Sequence, residues 1–324
     1  MDLNKIHHMD NRQGLALLPE KCANLIIADP PYFEVKGEFD FVWKSFQEYL
    51  DFMEEQAKLY KRILAENGTL FVWGYAKNIA YVQVIFDKYF NLENCITWVK
   101  KDSMQYQYYS VDTARIFTPN NERLLMYSNE VEMTGLEMVM EKHIKPLHPF
   151  AKYLTSEFER AGVTNREIAA LFPSRTGGLT GCVSNWLNGD NVITEEQYNT
   201  IKKHLNGEYL RKEYEDHRKE YEDQRRPFNN TMKLTDCMDF SQEGHITKQY
   251  DHDTKKPEKM TTALILICSR PGDLVVIPFA GSGTECAMAA KERRQFIGFD
   301  IKREYAEMAN NRVNEATRQG VLFL

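Results

Sequence analysis

The feature that most constrains the fold is a strand, a glycine turn and a helix in direct succession near residue 280. DLVVI predicts a buried strand, PFAGSGT a turn and ECAMAAKER a helix over residues 284–293, and QFIGFD predicts the next strand. This order is typical of a parallel sheet whose strands are joined by helices. Gly281 and Gly283 allow backbone N–H groups to approach an anionic group of a cofactor. A glycine turn that only packs is the structural alternative.

Asp300 ends the strand that follows the glycine turn. In dinucleotide-binding sheets an acidic residue at a comparable distance from the glycines holds ribose hydroxyls. The same alternation of strand and helix occurs earlier in the chain, so we predict one α/β domain. The predicted strands are 24–28, 69–73, 95–100 and 122–128, and the predicted helices are 45–64 and 81–90.

A second motif, Asp29-Pro30-Pro31-Tyr32, follows the apolar run NLIIA. Two consecutive prolines stiffen the backbone, so a carboxylate and the Pro30 carbonyl are held as hydrogen-bond acceptors beside an aromatic ring. Such a corner fits a planar ring that bears an NH2 group. Because the lone pair of an aromatic amine is delocalised, two acceptors on its protons would direct that lone pair toward an electrophilic methyl group.

Composition excludes some classes of protein. The chain has 324 residues, a hydrophobic fraction of 43% and a net charge of -6, which suits a globular protein better than one that coats nucleic acid. No apolar run approaches the ~20 residues of a membrane span, and the N-terminus lacks the pattern of a secretory signal. We expect a cytoplasmic protein with reduced cysteines, no membrane association and no metal site.

Residues 150–205 differ from the flanking α/β pattern and predict a helical insertion. Capping-box patterns at Thr164 and Thr194 begin two helices, and residues 180–187 predict a third between them. Together they are typical of a helix-turn-helix, although FPSRTGG is longer than the usual turn. The DNA contacts predicted here are Arg175 to phosphate and Ser184, Asn185 and Asn188 to base edges. Three helices that only brace the catalytic domain are the alternative.

The insertion ends in an internal repeat, RKEYEDH followed by RKEYEDQ, at residues 211–224. The spacing of Leu210, Tyr214, His217, Tyr221 and Gln224 predicts a long charged helix with these residues on one semi-apolar side, and (i, i+4) charge pairs can stabilise such a helix. We favour a strut or the arm of a homodimer over a role in base reading. The domain boundaries predicted from these patterns are 1–149 with 230–324 for the α/β domain and 150–229 for the insertion.

ADPPYF near the start and PFAGSGT near the end together resemble the DNA amino-methyltransferases, specifically the permuted β group. The resemblance covers most of residues 6–127 and 250–312. It implies a circularly permuted, Rossmann-like methyltransferase sheet, S-adenosylmethionine as the cofactor, double-stranded DNA as the substrate and target recognition by the helical insertion. A companion restriction endonuclease is also possible in such a system.

The resemblance also implies roles for individual residues. Asp29 to Tyr32 form the catalytic corner, Asp10 contacts the cofactor adenine, Asp300 its ribose, and Lys255 to Pro257 its methionine end. The cofactor-binding residues implied in this way are Asp10, Ala28, Asp29, Lys256, Phe279, Ala280, Gly281, Ser282, Gly283, Thr284 and Asp300.

Two departures from the family pattern concern the methionine end. Ile277 stands where the family usually has Asp before Pro-Phe, and His252-Asp253 stands where it has His-Pro. Asp29 as the first residue of its motif favours adenine N6, whereas Ser would favour cytosine N4. Either base must leave the helical stack. A DNA-binding regulator that only senses the cofactor, and methylation of RNA or of a protein amide, are less favoured alternatives.

Overall fold

The computed structural model describes residues 1–35, 38–100, 115–117, 119–129, 149–241 and 256–321. His252, Asp253 and Lys255 lie outside these residues. The chain forms two compact units, one of residues 1–141 with 226–324 and one of residues 142–225. No helix among the described residues is long and apolar enough to cross a membrane.

The first unit is built on an eight-stranded sheet with the order β1-β8-β7-β2-β3-β5-β4-β6. The strands are β1 Lys5–His8, β2 Ala23–Ala28, β3 Leu64–Gly74, β4 Asn91–Val99, β5 Asn121–Ser128, β6 Cys237–Met238, β7 Leu274–Ile277 and β8 Gln295–Asp300. The five strands from β1 to β3 in this order are parallel, and β5 is antiparallel to both β3 and β4. The Rossmann-like α/β sheet predicted from the sequence is therefore confirmed, and the antiparallel direction of β5 is a feature that the sequence pattern did not predict.

Helices cover both faces of this sheet. They are α1 Asn11–Ala16, α2 Phe46–Ile63, α3 Ile79–Phe86, α9 Glu258–Cys268, α10 Thr284–Lys291 and α11 Arg303–Val321. One buried cluster joins the sheet to α1, α2 and α3, and another joins it to α9, α10 and α11. Because β2 and β7 are covered on both faces, they read as continuous apolar runs rather than as alternating patterns.

The Asp29 motif comes before the glycine turn in the chain, which is the permuted order. The two strands that lead into these motifs are nevertheless neighbours in the sheet. β7 follows β2 by more than two hundred residues in the chain, yet Leu25 pairs with Val275 and Ile26 with Val276 in parallel register. The carboxyl ends of the two strands therefore lie side by side, and the Asp29 corner and the glycine turn leave the same edge of the sheet.

The second unit is helical. It contains α4 Pro149–Ala161, α5 Asn165–Ala169, α6 Cys182–Leu187, α7 Glu195–His204 and α8 Tyr214–Gln224. Both predicted capping boxes are present, from Thr164 to Glu167 and from Thr194 to Gln197. The helix predicted over 180–187 begins two residues later, after Gly181, which makes no side-chain cap bond.

The repeat forms a shorter helix than its spacing predicts. Leu210, predicted to share its semi-apolar side, lies before α8 with a positive φ of 53°. Tyr214 and His217 pack against Phe150 in α4, and Arg218 pairs with Glu222 on the outer side of the helix. The repeat thus completes the core of its own unit, which an amphipathic spacing alone does not reveal.

His217 is a buried histidine whose ring nitrogens have no hydrogen-bond partner among the described residues. Its ring stacks on Phe150 with centroids 4.9 Å apart. Burial and the nearby charge of Lys212 together lower the pKa of His217 to about 4, against the opposing effect of neighbouring carboxylates. The folded state therefore takes up this proton less readily than the unfolded chain, so stability present above about pH 6.5 is lost as the pH falls toward 4.

We predict that His217→Phe stabilises the second unit by about 1 kcal/mol at pH 7, because no hydrogen bond is lost and two buried nitrogens are removed. The gain should grow between pH 6.5 and pH 5. Denaturant unfolding of the intact chain at both pH values measures it, with His204→Phe at an exposed position of α7 as the control. A His217→Phe chain less stable than the wild type would show that the imidazole makes a favourable interaction.

Candidate active site

Four neighbouring parallel strands end at one edge of the sheet, and each is followed by a predicted site residue. Asp10 follows β1, Asp300 ends β8, the turn 278–283 follows β7 and Asp29 follows β2. The carboxyl ends of these parallel strands meet at this edge, which we call the rim. Residues that are far apart in the sequence therefore lie along the same rim.

The Asp29 corner, predicted to be catalytic, is organised around a buried lysine. Lys256 Nζ lies 2.7 Å from Asp29 Oδ2 and 3.1 Å from Glu122 Oε2. The hydroxyl of Tyr32 donates to Asp29 Oδ1 at 2.8 Å. The Lys256 ammonium also lies 4.8 Å from the centroid of the Trp73 ring, on which it forms a cation–π contact. Lys256, predicted at the methionine end of the cofactor, thus contacts the carboxylate of Asp29, which is predicted to be catalytic.

Glu122 is the second carboxylate of this network. Lys100 Nζ lies 2.5 Å from its Oε1, while its Oε2 receives Lys256. Burial would raise the pKa of Glu122, but the two ammonium groups outweigh burial and lower it to about 2. Burial would likewise lower the pKa of Lys256, and Asp29 and Glu122 instead raise it. Both groups therefore stay charged at neutral pH.

Tyr32 is fixed through its backbone as well as its side chain. Its N–H donates to Asp40 Oδ1 at 2.5 Å, and Asp40 is 2% exposed. Burial raises the pKa of the Tyr32 hydroxyl, and the Asp29 and Glu122 carboxylates raise it further. The hydroxyl therefore remains a hydrogen-bond donor.

The two glycines of the turn, Gly281 and Gly283, have different structural roles. Gly283 has a φ of 76°, and a Cβ there would lie 2.7 Å from Ala309 Cβ in α11, so it is required both for the turn and for helix packing. Gly281 has a φ of 47°, and its N–H donates to Asp300 Oδ2 at 2.9 Å. Asp300 Oδ1 accepts from Lys302 N at 2.8 Å. The predicted ribose ligand thus also braces the turn.

Arg312 in α11 holds the last residues of the turn. Its guanidinium donates to the Ser282 carbonyl at 3.1 Å, to Thr284 Oγ1 at 2.7 Å and to Glu258 Oε1 at 2.5 Å. It is 3% exposed. Since Glu258 begins α9 two residues after Lys256, this one side chain links the glycine turn to the segment that carries the buried lysine.

The remaining residues predicted to bind the cofactor lie on the same rim. Asp10 caps α1 by accepting from Arg12 N at 2.9 Å, and its carboxylate pairs with the Arg12 guanidinium at 2.7 Å. Phe279 is half-buried, with its ring centroid 6.3 Å from that of Phe52. Ala28 and Ala280 are buried.

The predicted DNA contacts belong to the second unit. Ser184 and Asn185 are exposed on α6, while Val183 and Trp186 of the same helix are buried. Asn188 caps the end of α6 and is exposed. Arg175 is exposed in the connection between α5 and α6. One side of α6 therefore presents polar side chains to solvent.

Sequence reasoning missed the residues that support the corner. Glu122 lay inside a predicted strand, and Lys100, Asp40 and Arg312 belong to no motif that carried a role. A charged residue at the start of the apolar run RLLMY is the one signal that could have drawn attention to Glu122, because buried charges need partners.

Comparison with known proteins agrees with this geometry. The model of the N6/N4 DNA methylase family matches residues 23–311. The chain is 24% identical to the DNA adenine methyltransferase YhdJ of Escherichia coli K12, over 96% of this chain and 83% of that protein. It is 25% identical to the Type II methyltransferase M1.MboII of Moraxella bovis, over 97% and 98% of the two chains.

A solved structure shows the same fold. The cytosine-N4-specific PvuII DNA methyltransferase superposes with a TM-score of 0.54 at 15% identity, over 98% of this chain and 92% of that one. The site and the family match together define a DNA methyltransferase. The chain belongs to the N6/N4 family of DNA methylases, and its cofactor is S-adenosylmethionine.

We predict that Glu122→Gln lowers the methyl-transfer rate by up to about 100-fold, because Lys256 and the Tyr32 hydroxyl lose the carboxylate that positions them. Cofactor binding should change little, so the loss should fall on kcat. Single-turnover methylation and equilibrium cofactor binding separate the two effects. Glu66→Gln, at an exposed ion pair with Lys21, is the control. An unchanged kcat would contradict a positioning role for Glu122.

Proposed function

We propose that this enzyme transfers the methyl group of S-adenosylmethionine to N6 of an adenine that is flipped out of duplex DNA. The observation that carries the proposal is the Asp29 corner, held by Lys256, Tyr32 and Glu122 beside the glycine turn. DNA methylation is the family's reaction. The base, the residues and the recognition site are our inference.

The rim suits the cofactor chemically. The glycine turn leads directly into α10, whose N-terminus favours an anionic group, and Asp300 offers carboxylate oxygens beside it. When bound there, S-adenosylmethionine supplies an electrophilic methyl group. The Asp29 corner follows the adjacent strand, so an amine held by the corner can face that methyl group.

Asp29 and the Pro30 carbonyl orient the amine in this proposal. Asp29 Oδ1 and Oδ2 already accept bonds from Tyr32 and Lys256, but each carboxylate oxygen has a further lone pair for an N–H of the base. With its protons engaged by two acceptors, the amine nitrogen turns its lone pair toward the methyl group. The half-buried Tyr32 offers a ring for stacking, an interaction worth about 1–3 kcal/mol per base.

Adenine is favoured over cytosine by the acidic first residue of the corner and by the name of one relative, the DNA adenine methyltransferase YhdJ, at 24% identity. The fold likeness to a cytosine-N4 enzyme does not distinguish the two bases, since one fold can act on either.

The Type II name of M1.MboII favours a companion restriction endonuclease. A homodimer through α8 stays a prediction from the sequence.

The second unit is proposed to select the DNA sequence. The exposed side of α6 offers a hydroxyl and two amides that can reach base edges, while Arg175 offers a charge for phosphate. Twelve residues separate α5 from α6, more than in a typical helix-turn-helix. The proposal therefore rests on the polar face of α6 rather than on the motif alone.

We predict that the protein transfers labelled methyl from S-adenosylmethionine to duplex DNA, and that nucleoside digestion yields N6-methyladenine. Label found only in N4-methylcytosine would replace adenine by cytosine in the proposal.

We predict that Asp29→Ala abolishes methyl transfer and largely retains cofactor binding, because the Asp29 carboxylate acts on the base amine. Near-normal turnover by Asp29→Ala would rule out the acceptor role.

We predict that Asn185→Ala relaxes discrimination between the cognate site and single-base variants, since one base-edge contact carries about 1–3 kcal/mol of specificity. Arg175→Ala should instead weaken binding to all sequences and reduce the dependence of affinity on salt. Methylation rates on oligonucleotide sets distinguish the two effects, with Lys152→Ala at an exposed position of α4 as the control. Unchanged selectivity and affinity in both variants would leave the second unit a bracing role.

A further inference from the structure

Glu285 is a buried carboxyl group that the proposed reaction does not use. It lies in the first turn of α10, two residues after Gly283, and is 7% exposed. Apart from its own backbone N–H, its carboxyl makes no hydrogen bond within the described parts of the chain. A buried acid that is held by its own backbone N–H alone is costly, so its place beside the glycine turn calls for an explanation.

The charged groups around Glu285 come from three other elements. Asp29 after β2 repels its charge, whereas Lys256 before α9 and Arg312 in α11 attract it. Within α10 its nearest titratable neighbour is the buried thiol of Cys286. Lys256 and Arg312 are already committed to other carboxylates, Lys256 to Asp29 and Glu122 and Arg312 to Glu258.

These surroundings leave the carboxyl poised between its two protonation states. Burial raises the pKa of Glu285 to about 7, and Asp29 contributes in the same direction, against the two cations. An added positive charge nearby would favour the carboxylate and displace the proton. β7 ends in the buried, apolar Ile277, so this strand brings no acidic side chain of its own to the turn.

The methionine portion of S-adenosylmethionine carries such a charge. Its carboxylate and its α-ammonium group are attached to one carbon atom. If the N-terminus of α10 receives the carboxylate, the ammonium lies within a few ångströms of the first turn of that helix. Glu285 is the acidic residue of that turn.

We propose that Glu285 binds the α-ammonium group of the cofactor as a carboxylate, and that the Glu285 carboxyl releases its proton to solvent when the cofactor binds. The inference rests on the cofactor site proposed above. It makes cofactor affinity dependent on pH: protonated Glu285 must ionise before it can pair, so affinity falls as the solution becomes more acidic. Between pH 8 and pH 6 the contribution of Glu285 should weaken binding by about tenfold.

Calorimetric titration of the intact protein tests the proposal. S-adenosylhomocysteine is a suitable probe, because it keeps the α-ammonium group and lacks the transferable methyl. Titrations at pH 7 in two buffers that differ in ionisation enthalpy give the number of protons released, which should be about one half per cofactor for the wild type. The Glu285→Gln variant should release no proton from position 285. It should bind S-adenosylhomocysteine about 10- to 100-fold more weakly than the wild type at pH 8.

Glu292→Gln is the matched control, because Glu292 ends the same helix outside the glycine turn. The cofactor's own ammonium titrates equally in the three proteins, so differences between them report on Glu285. Thermal unfolding checks that Glu285→Gln is folded, and Glu285→Asp, which keeps the charge, should retain the release of a proton.

Each outcome separates this inference from the proposed function. Wild-type binding with no proton release, or with proton uptake, would overturn the pairing while leaving a cofactor-binding enzyme. Equal affinity and equal release for the wild type and Glu285→Gln would overturn it as well. A wild-type protein that binds neither S-adenosylhomocysteine nor S-adenosylmethionine would instead contradict the proposed cofactor site.

Discussion

The Asp29 corner depends on one buried ammonium group, that of Lys256. Its two carboxylate partners, Asp29 and Glu122, come from the end of β2 and the start of β5, so the contact fixes three distant parts of the sequence. A buried ion is tolerated only when its partners and hydrogen bonds offset the loss of hydration. Removing one partner would leave an uncompensated charge in the interior. The geometry of the Asp29 corner is therefore tied to the assembly of the whole sheet rather than to its two prolines alone.

The same principle extends to the glycine turn. Asp300 and Arg312 bind its backbone and hydroxyl groups, and Arg312 also pairs with Glu258 close to Lys256. The turn and the corner are thus connected through Arg312, Glu258 and the two-residue step of backbone from Glu258 to Lys256. Such preorganisation matters for methyl transfer, because a displacement of about 1 Å between nucleophile and methyl group can cost about 100-fold in rate.

Local sequence patterns predicted the strands, helices and helix caps that are determined by residues close together in the chain. The strands β2, β7 and β8, the helix α10 and the two capping boxes all follow from apolar runs, glycines and capping residues, and they are present. Patterns could not predict that Lys256 contacts Asp29, because the two are 227 positions apart and only tertiary pairing joins them. For the same reason the spacing of the repeat included Leu210 in a helix that begins at Tyr214. The short strand β1 was not predicted, since four residues with two histidines give little apolar signal.

The permuted order of the motifs explains why sheet position matters more than chain order here. A parallel sheet brings carboxyl ends to one edge whatever the order of the strands in the chain, so the Asp29 corner and the glycine turn at residue 281 become neighbours through the pairing of β2 with β7. What must be kept is the adjacency of these strands and the charges that join their ends. A long connection between β5 and β7 leaves that adjacency intact, because loop length adds only slowly to the entropic cost of closure. The helical unit can therefore differ in sequence from that of related enzymes without altering the rim.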